Sequence, residues 1–297
     1  MAITADPIKS KSPKATAGPP EAGRTSHSID IKELLEAGAH FGHQTSRWHP
    51  KMAPYIHSKR GGSHVIDLTK TVEALDTALE FLSKTASESK QILLVSTKRQ
   101  AKDKVKEVAL ATNMPYVTQR WLGGMLTNYN TISGRIKRLV DLENRMASGE
   151  LENRYSKLEV QRFGEEIEEM NHLYGGIKEM HAKLGAVFVL DMQNDIIAVK
   201  EARKLDVPVV GLADTNVDPG IADYPIPCND DATKTINLVM NYVQQAITDG
   251  QARVKKLATD GKPETAGAKI AAAAKKTNVK EQNTEKEAVT APVKGIG

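Results

Sequence analysis

Ile92–Val95 is apolar at all four positions, and Ala186–Leu190 and the stretch after Pro208 to Gly211 repeat the pattern. A strand with one face in water alternates apolar and polar residues. A strand with no polar position has both faces covered, as in parallel sheets between layers of helices. The intervening segments carry helical spacing: Val72, Leu75, Leu79 and Leu82 recur within Thr69–Lys84, and further helices fit Arg99–Ala111, Asp195–Leu205 and Thr233–Ile247. Tyr116–Val117 reads as a short strand. Ile226 sits between Pro225 and Pro227 and reads as an edge strand, because proline cannot donate to a ladder. Strand, helix, strand at this spacing predicts an α/β fold built on a doubly wound parallel sheet.

Three stretches depart from that alternation. Ser28–Asp30 is followed by Ile31, Leu34 and Leu35, a short capped helix ending at Gly38. Tyr55–Ile56 and His64–Ile66 flank Lys59-Arg60-Gly61-Gly62, which predicts a hairpin. Ile132, Ile136, Leu139 and Leu142 then share one helical face, Ser148–Gly149 breaks it, and a second apolar run reaches Tyr174. This predicts an inserted antiparallel helical hairpin of coiled-coil character over 131–182, with an acidic second arm at Glu165, Glu166, Glu168 and Glu169. Such a hairpin either protrudes towards a partner or packs back on the sheet.

The ends differ in composition. Residues 1–28 carry Pro7, Pro13, Pro19 and Pro20 with few large apolar side chains, and 251–297 are rich in Ala, Lys and Thr with no aromatic residue. Neither can bury enough apolar surface to offset the entropy of ordering, so both are expected to be disordered tails around a folded domain at 29–250. No apolar run approaches the ~20 residues of a spanning helix. Asp6, Pro7 and Lys9 stand where a secretory signal needs an apolar stretch, and Cys228 is the only cysteine. A reducing, cytoplasmic location is expected, without a membrane.

Charge is unevenly distributed. Residues 37–140 hold 16 Lys and Arg against 7 Asp and Glu, whereas 141–250 hold 10 against 20. Ala37–Ile66 contains no acid, yet Arg47, Lys51, Lys59 and Arg60 interleave there with Phe41, Trp48 and Tyr55. Cations beside aromatic rings suit RNA, whose phosphates pair with the cations while its bases stack on the rings. Ser96-Thr97-Lys98-Arg99 follows a strand and is expected to open a helix, an anion seat that Lys102 reinforces. Val108–Val140 is a second acid-free stretch, with Arg120, Trp121, Arg135, Lys137 and Arg138. Three such windows in one half of the domain point to a polyanion-binding face.

Catalytic signatures are sparse. The chain has neither G-x-G-x-x-G after a strand nor G-x-x-x-x-G-K-[ST], and no H-E-x-x-H. Asp191, Asp195, Asp214 and Asp218 follow the two apolar strands where α/β enzymes place their sites, so a Mg²⁺-dependent phosphotransfer enzyme is the alternative. In the plainer reading Asp195 caps a helix, while Asp214 and Asp218 set turns. His40 and His43, three residues apart, form a weak candidate metal pair; polar loop contacts are the simpler assignment.

Leu34-Leu35-Glu36-Ala37-Gly38-Ala39-His40-Phe41-Gly42-His43-Gln44-Thr45 with Trp48-His49-Pro50-Lys51-Met52 resembles the opening of the second protein of the small ribosomal subunit, bacterial type. Arg120-Trp121-Leu122-Gly123-Gly124-Met125-Leu126-Thr127-Asn128 is the most specific block; Lys200-Glu201-Ala202-Arg203 and Asp214-Thr215-Asn216 follow in the family's order. The resemblance runs from about Ile29 to Gly250 and covers neither tail. It implies a flavodoxin-like domain with a helical hairpin that binds 16S-type ribosomal RNA, without a catalytic step or a small-molecule cofactor. It also implies docking beside neighbouring small-subunit proteins, among them the large messenger-RNA-binding protein numbered one. The resemblance leaves open whether the ribosome is bacterial or organellar, although Asp6, Glu21 and the paucity of Arg in the first stretch speak against organellar targeting.

Overall fold

The computed structural model describes residues 29–260, with side chains through 254; the expectations for 1–28 and for the tail beyond 260 lie outside them. Helix α1 (Ile31–Ala37) is capped by the Asp30 carboxylate, which accepts from the Lys32 amide at 2.8 Å, and closed by Gly38 at φ +83°. Strands β1 (Phe41–Gln44), β2 (Ile56–Arg60) and β3 (Ser63–Ile66) form a small antiparallel sheet of order β1-β3-β2. The β2–β3 hairpin is as expected; β1 adds a third strand that its sequence does not announce.

Helix α2 (Leu68–Ser87) leads into β4 (Ile92–Val95), α3 (Lys102–Thr112) and β5 (Tyr116–Val117). The insertion contains α4 (Tyr129–Ala147), α5 (Glu150–Arg154) and α6 (Lys157–Tyr174), so three helices stand where two were expected. After it come β6 (Ala186–Val189), α7 (Ile196–Lys204), β7 (Val209–Ala213), β8 (Tyr224–Pro227) and α8 (Thr233–Asp260). The five strands β5-β4-β6-β7-β8 pair in parallel throughout. Numbered by appearance their order is 2-1-3-4-5, the flavodoxin-like arrangement.

Alternation along the strands explains their uniform apolarity. Ile92, Leu94, Phe188, Leu190, Val210 and Leu212 face α2, α3 and α8, while Leu93, Val95, Val187, Val189 and Val209 face α7 and the base of α4. Ile132, Ile136 and Leu139 of α4 join that second core, so the base of the insertion packs back on the domain. Further along, α4 and α6 are tied by Arg138–Glu166 at 2.8 Å and by Asn171 donating to Glu143 at 2.6 Å.

Helix α8 runs ten residues past Gly250, the expected boundary, to Asp260. Gly250 does not stop the helix. A Cβ there would lie 2.3 Å from the Ser83 carbonyl oxygen, so the missing side chain lets α8 approach α2. The proline-flanked β8 lies at the sheet edge as expected.

Candidate nucleic-acid interface

The strand order reverses between β4 and β6, and the crevice at their carboxyl ends is where such sheets bind ligands. Here the protein fills it with its own charges. Asp195 accepts from the Thr97 amide at 3.0 Å and from its hydroxyl at 2.8 Å, so a carboxylate occupies the expected anion seat. Helix α3 begins only at Lys102, three residues beyond Arg99, and Asp195 caps nothing through its side chain. Both differ from the expectation. Burial pushes the Asp195 carboxyl up, with the Thr97 hydrogen bonds opposing.

Lys98 points into the same crevice. Its ammonium lies 2.8 Å from Asp230, 2.7 Å from Asp231 and 3.4 Å from Asp191. Burial disfavours that charge, but hydrogen bonds to Asp230 and Asp231 outweigh it, and the Lys98 pKa is raised. Asp230 is pushed up to about 7 by burial and by repulsion from Asp191 and Asp214. Asp191 also caps the amides of Gln193 and Asn194.

The small sheet is anchored at the end of β7. Gly42 packs so closely on Thr215 that a Cβ would meet its Cγ2 at 2.6 Å, and the His49 amide donates to the Thr215 carbonyl at 2.7 Å. Lys51 pairs with Asp218, which also caps Gly220. His43 Nδ1 lies 3.0 Å from Asp214 Oδ2, and Nε2 lies 3.5 Å from Asp231. The hydrogen bond to Asp214 raises the His43 pKa against the opposing effect of burial. That contribution is fully present below the ordinary histidine pKa of ~6.5 and is lost as pH rises through the folded-state value. His40 and His64 are shifted down by burial and act in the opposite sense. The clean readout is therefore a difference: His43→Gln is expected to cost more stability at pH 6 than at pH 9 in urea unfolding. An equal cost at both values contradicts the charged pairing.

All four aspartates of the phosphotransfer alternative thus hold the protein's own groups. Of the candidate pair, His40 lies against the Phe41 ring with centroids 4.0 Å apart and rings tilted by 39°, while His43 is engaged by Asp214. Among the described residues one trio brings metal-type donors together, His43, Asp230 and Asp231, with ligand atoms within 4.8 Å of one another. The Lys98 ammonium already supplies a cation to both of those aspartates.

The cations of the acid-free windows divide into two groups. Lys51, Lys98 and Arg138 are committed to Asp218, to the aspartate cluster and to Glu166, and Lys102 donates to Gln119 at 2.9 Å. Arg47, Arg60, Arg99, Arg120, Arg135 and Lys137 are exposed and make no ion pair among the described residues. Lys59 is exposed too, its ammonium 5.8 Å from the centroid of the half-buried Trp48 ring. Trp48 also contacts His64 at a centroid distance of 5.1 Å.

Trp121 corrects the sequence reading. It is 7% exposed, belongs to the second core and donates from Nε1 to Glu201 at 3.2 Å, so its faces are closed to a base. Glu201 is a residue the composition windows could not reveal. Its carboxylate gathers Trp121, Gly124, Leu126 and Thr127 from the loop 74 to 80 residues earlier.

An α/β domain whose crevice carboxylates serve its own fold, with exposed cations outside its ion pairs, has the layout of a scaffold component rather than of a phosphotransfer catalyst. No helix among the described residues is long and apolar enough to cross a membrane. Residues 34–250 match the family described as Ribosomal protein S2. The small ribosomal subunit protein uS2 of Roseiflexus sp. (strain RS-1) is 46% identical over 232 residues, 78% of this chain and 88% of the relative. The protein of the same name from Dehalococcoides mccartyi (strain ATCC BAA-2266 / KCTC 15142 / 195) is 46% identical over 244 residues, 81% of this chain and 99% of its own length. The chain belongs to the ribosomal protein S2 family, a family of ribosomal proteins and not of enzymes.

Proposed function

We propose that this protein is a structural component of the small ribosomal subunit in the cytoplasm, holding 16S-type rRNA through its basic loops. The observation that carries the reading is the contrast between two sets of charges. The carboxylates of the crevice are consumed internally, while Arg47, Arg60, Arg99, Arg120, Arg135 and Lys137 stand exposed without an ion-pair partner among the described residues. Such cations neutralise phosphates and release counterions, and a rigid sheet keeps their loops in register. Lys51, Lys98, Lys102 and Arg138 position the surface rather than supply its free charge. The acidic side of α6, with Glu165, Glu168 and Glu169 exposed, repels RNA and is the side for protein neighbours, the large messenger-RNA-binding protein numbered one among them.

Of the two tryptophans, Trp48 is the one with a ring open to base stacking, its indole already flanked by Lys59. Stacking is worth about 1–3 kcal/mol per base. Trp48→Ala is therefore expected to weaken incorporation into subunits lacking this protein by roughly fivefold or more, with Trp48→Phe retaining most of it. Incorporation of Trp48→Ala equal to wild type in a quantitative reconstitution removes stacking from the account.

A further inference from the structure

Glu201 lies on α7 and is 8% exposed. Its Oε1 accepts from the Gly124 amide at 2.7 Å and from Trp121 Nε1 at 3.2 Å. Its Oε2 accepts from the Leu126 amide, the Thr127 amide and the Thr127 hydroxyl, each at 3.1 Å. Five donors within seven residues of one loop surround a carboxylate that has no Lys or Arg ion-pair partner among the described residues. A buried carboxyl without a cation ordinarily keeps its proton. Burial does push Glu201 up, but the amides of Gly124 and Thr127, the indole N–H and the Leu126 amide outweigh it and shift its pKa down. The loop therefore wraps an internal anion, much as backbone N–H groups wrap a phosphate.

That wrapping sorts the loop into two sides. Trp121, Met125 and Leu126 are drawn into the core, with Gly124 in the left-handed region at φ +86°. Arg120, Gly123, Thr127 and Asn128 are left on the surface, leading directly into α4 with Arg135 and Lys137. We infer that Glu201 is the positioning residue that pre-shapes the 120–128 loop for RNA, an inference that rests on the RNA-binding reading above. Ordering the loop before contact removes an entropic cost that binding would otherwise carry.

The test adds full-length protein to small subunits lacking it, over a series of salt concentrations, with hydrogen exchange on the free protein. Glu201→Gln keeps the side-chain shape but turns one acceptor into a donor facing donors. Its affinity is expected to fall about tenfold or more at every salt concentration. The slope of log K against log salt should stay at the wild-type value, since every phosphate-facing cation is still present. Exchange at the Gly124, Leu126 and Thr127 amides should quicken while β4 and β6 stay protected. Arg120→Gln, by contrast, should lower the slope by about 0.9. Wild-type protein that fails to bind overturns the RNA-binding reading and this inference with it. Wild-type binding matched by Glu201→Gln, despite faster loop exchange, overturns the inference alone. So does a loss of protection throughout the sheet, which marks a purely structural role.

Discussion

Lys98→Met is expected to lower the unfolding free energy by about 3–5 kcal/mol, the cost of leaving buried charge without its partner. The Lys98 side chain is 13% exposed, and the Asp230 and Asp191 side chains facing it are 2% and 11% exposed. With the ammonium gone, three carboxylates confront one another at the carboxyl end of the sheet. Against a typical net stability of about 5–15 kcal/mol, this is a large fraction. The deficit should shrink as pH falls from 7 towards 5. Asp230 already holds its proton more tightly than a solvated carboxylate, and the folded variant then takes up protons that the unfolded chain has released. Adding Asp230→Asn to Lys98→Met should recover part of the loss. Urea unfolding of the single and double variants at both pH values measures this; a cost below about 1 kcal/mol without pH dependence contradicts the assigned role.

Replacing Arg60, Arg99 and Arg120 together by Gln, one from each basic window, is expected to act on RNA and not on the fold. All three are exposed and outside the ion pairs that hold the domain together. A hydrogen bond to a charged group is worth about 1.5–3 kcal/mol, so three lost phosphate contacts weaken docking on depleted subunits by roughly a thousandfold or more. The slope of log K against log salt should flatten by about 2–3, at about 0.9 per phosphate. Lys204→Gln, which removes a charge from the end of α7, serves as the control and should leave both quantities unchanged. A triple variant that docks with the wild-type salt slope places the RNA contacts elsewhere.

Sequence legibility followed the range of the interactions. Strands β4, β6 and β7 were readable because burial on both faces leaves no polar position, and α2 because its apolar face repeats within a single segment. Strand β1 was not: four residues, Phe41-Gly42-His43-Gln44, with an exposed phenylalanine, take their structure from β3 and from Thr215 far along the chain. The basic windows were legible as composition but not as geometry. Lys98 is an ion-pair hub because the crossovers deliver Asp191, Asp230 and Asp231 to the end of β4. Trp121 looked like a stacking ring among cations. It is buried because Glu201, outside the basic windows, draws the loop inward.

The most direct test of the central claim is sucrose-gradient sedimentation of a cell lysate probed for this protein at moderate and high salt. Co-sedimentation with the small ribosomal subunit at moderate salt and partial release at high salt are expected, as contacts dominated by phosphate require. Recovery entirely at the top of the gradient at moderate salt contradicts it.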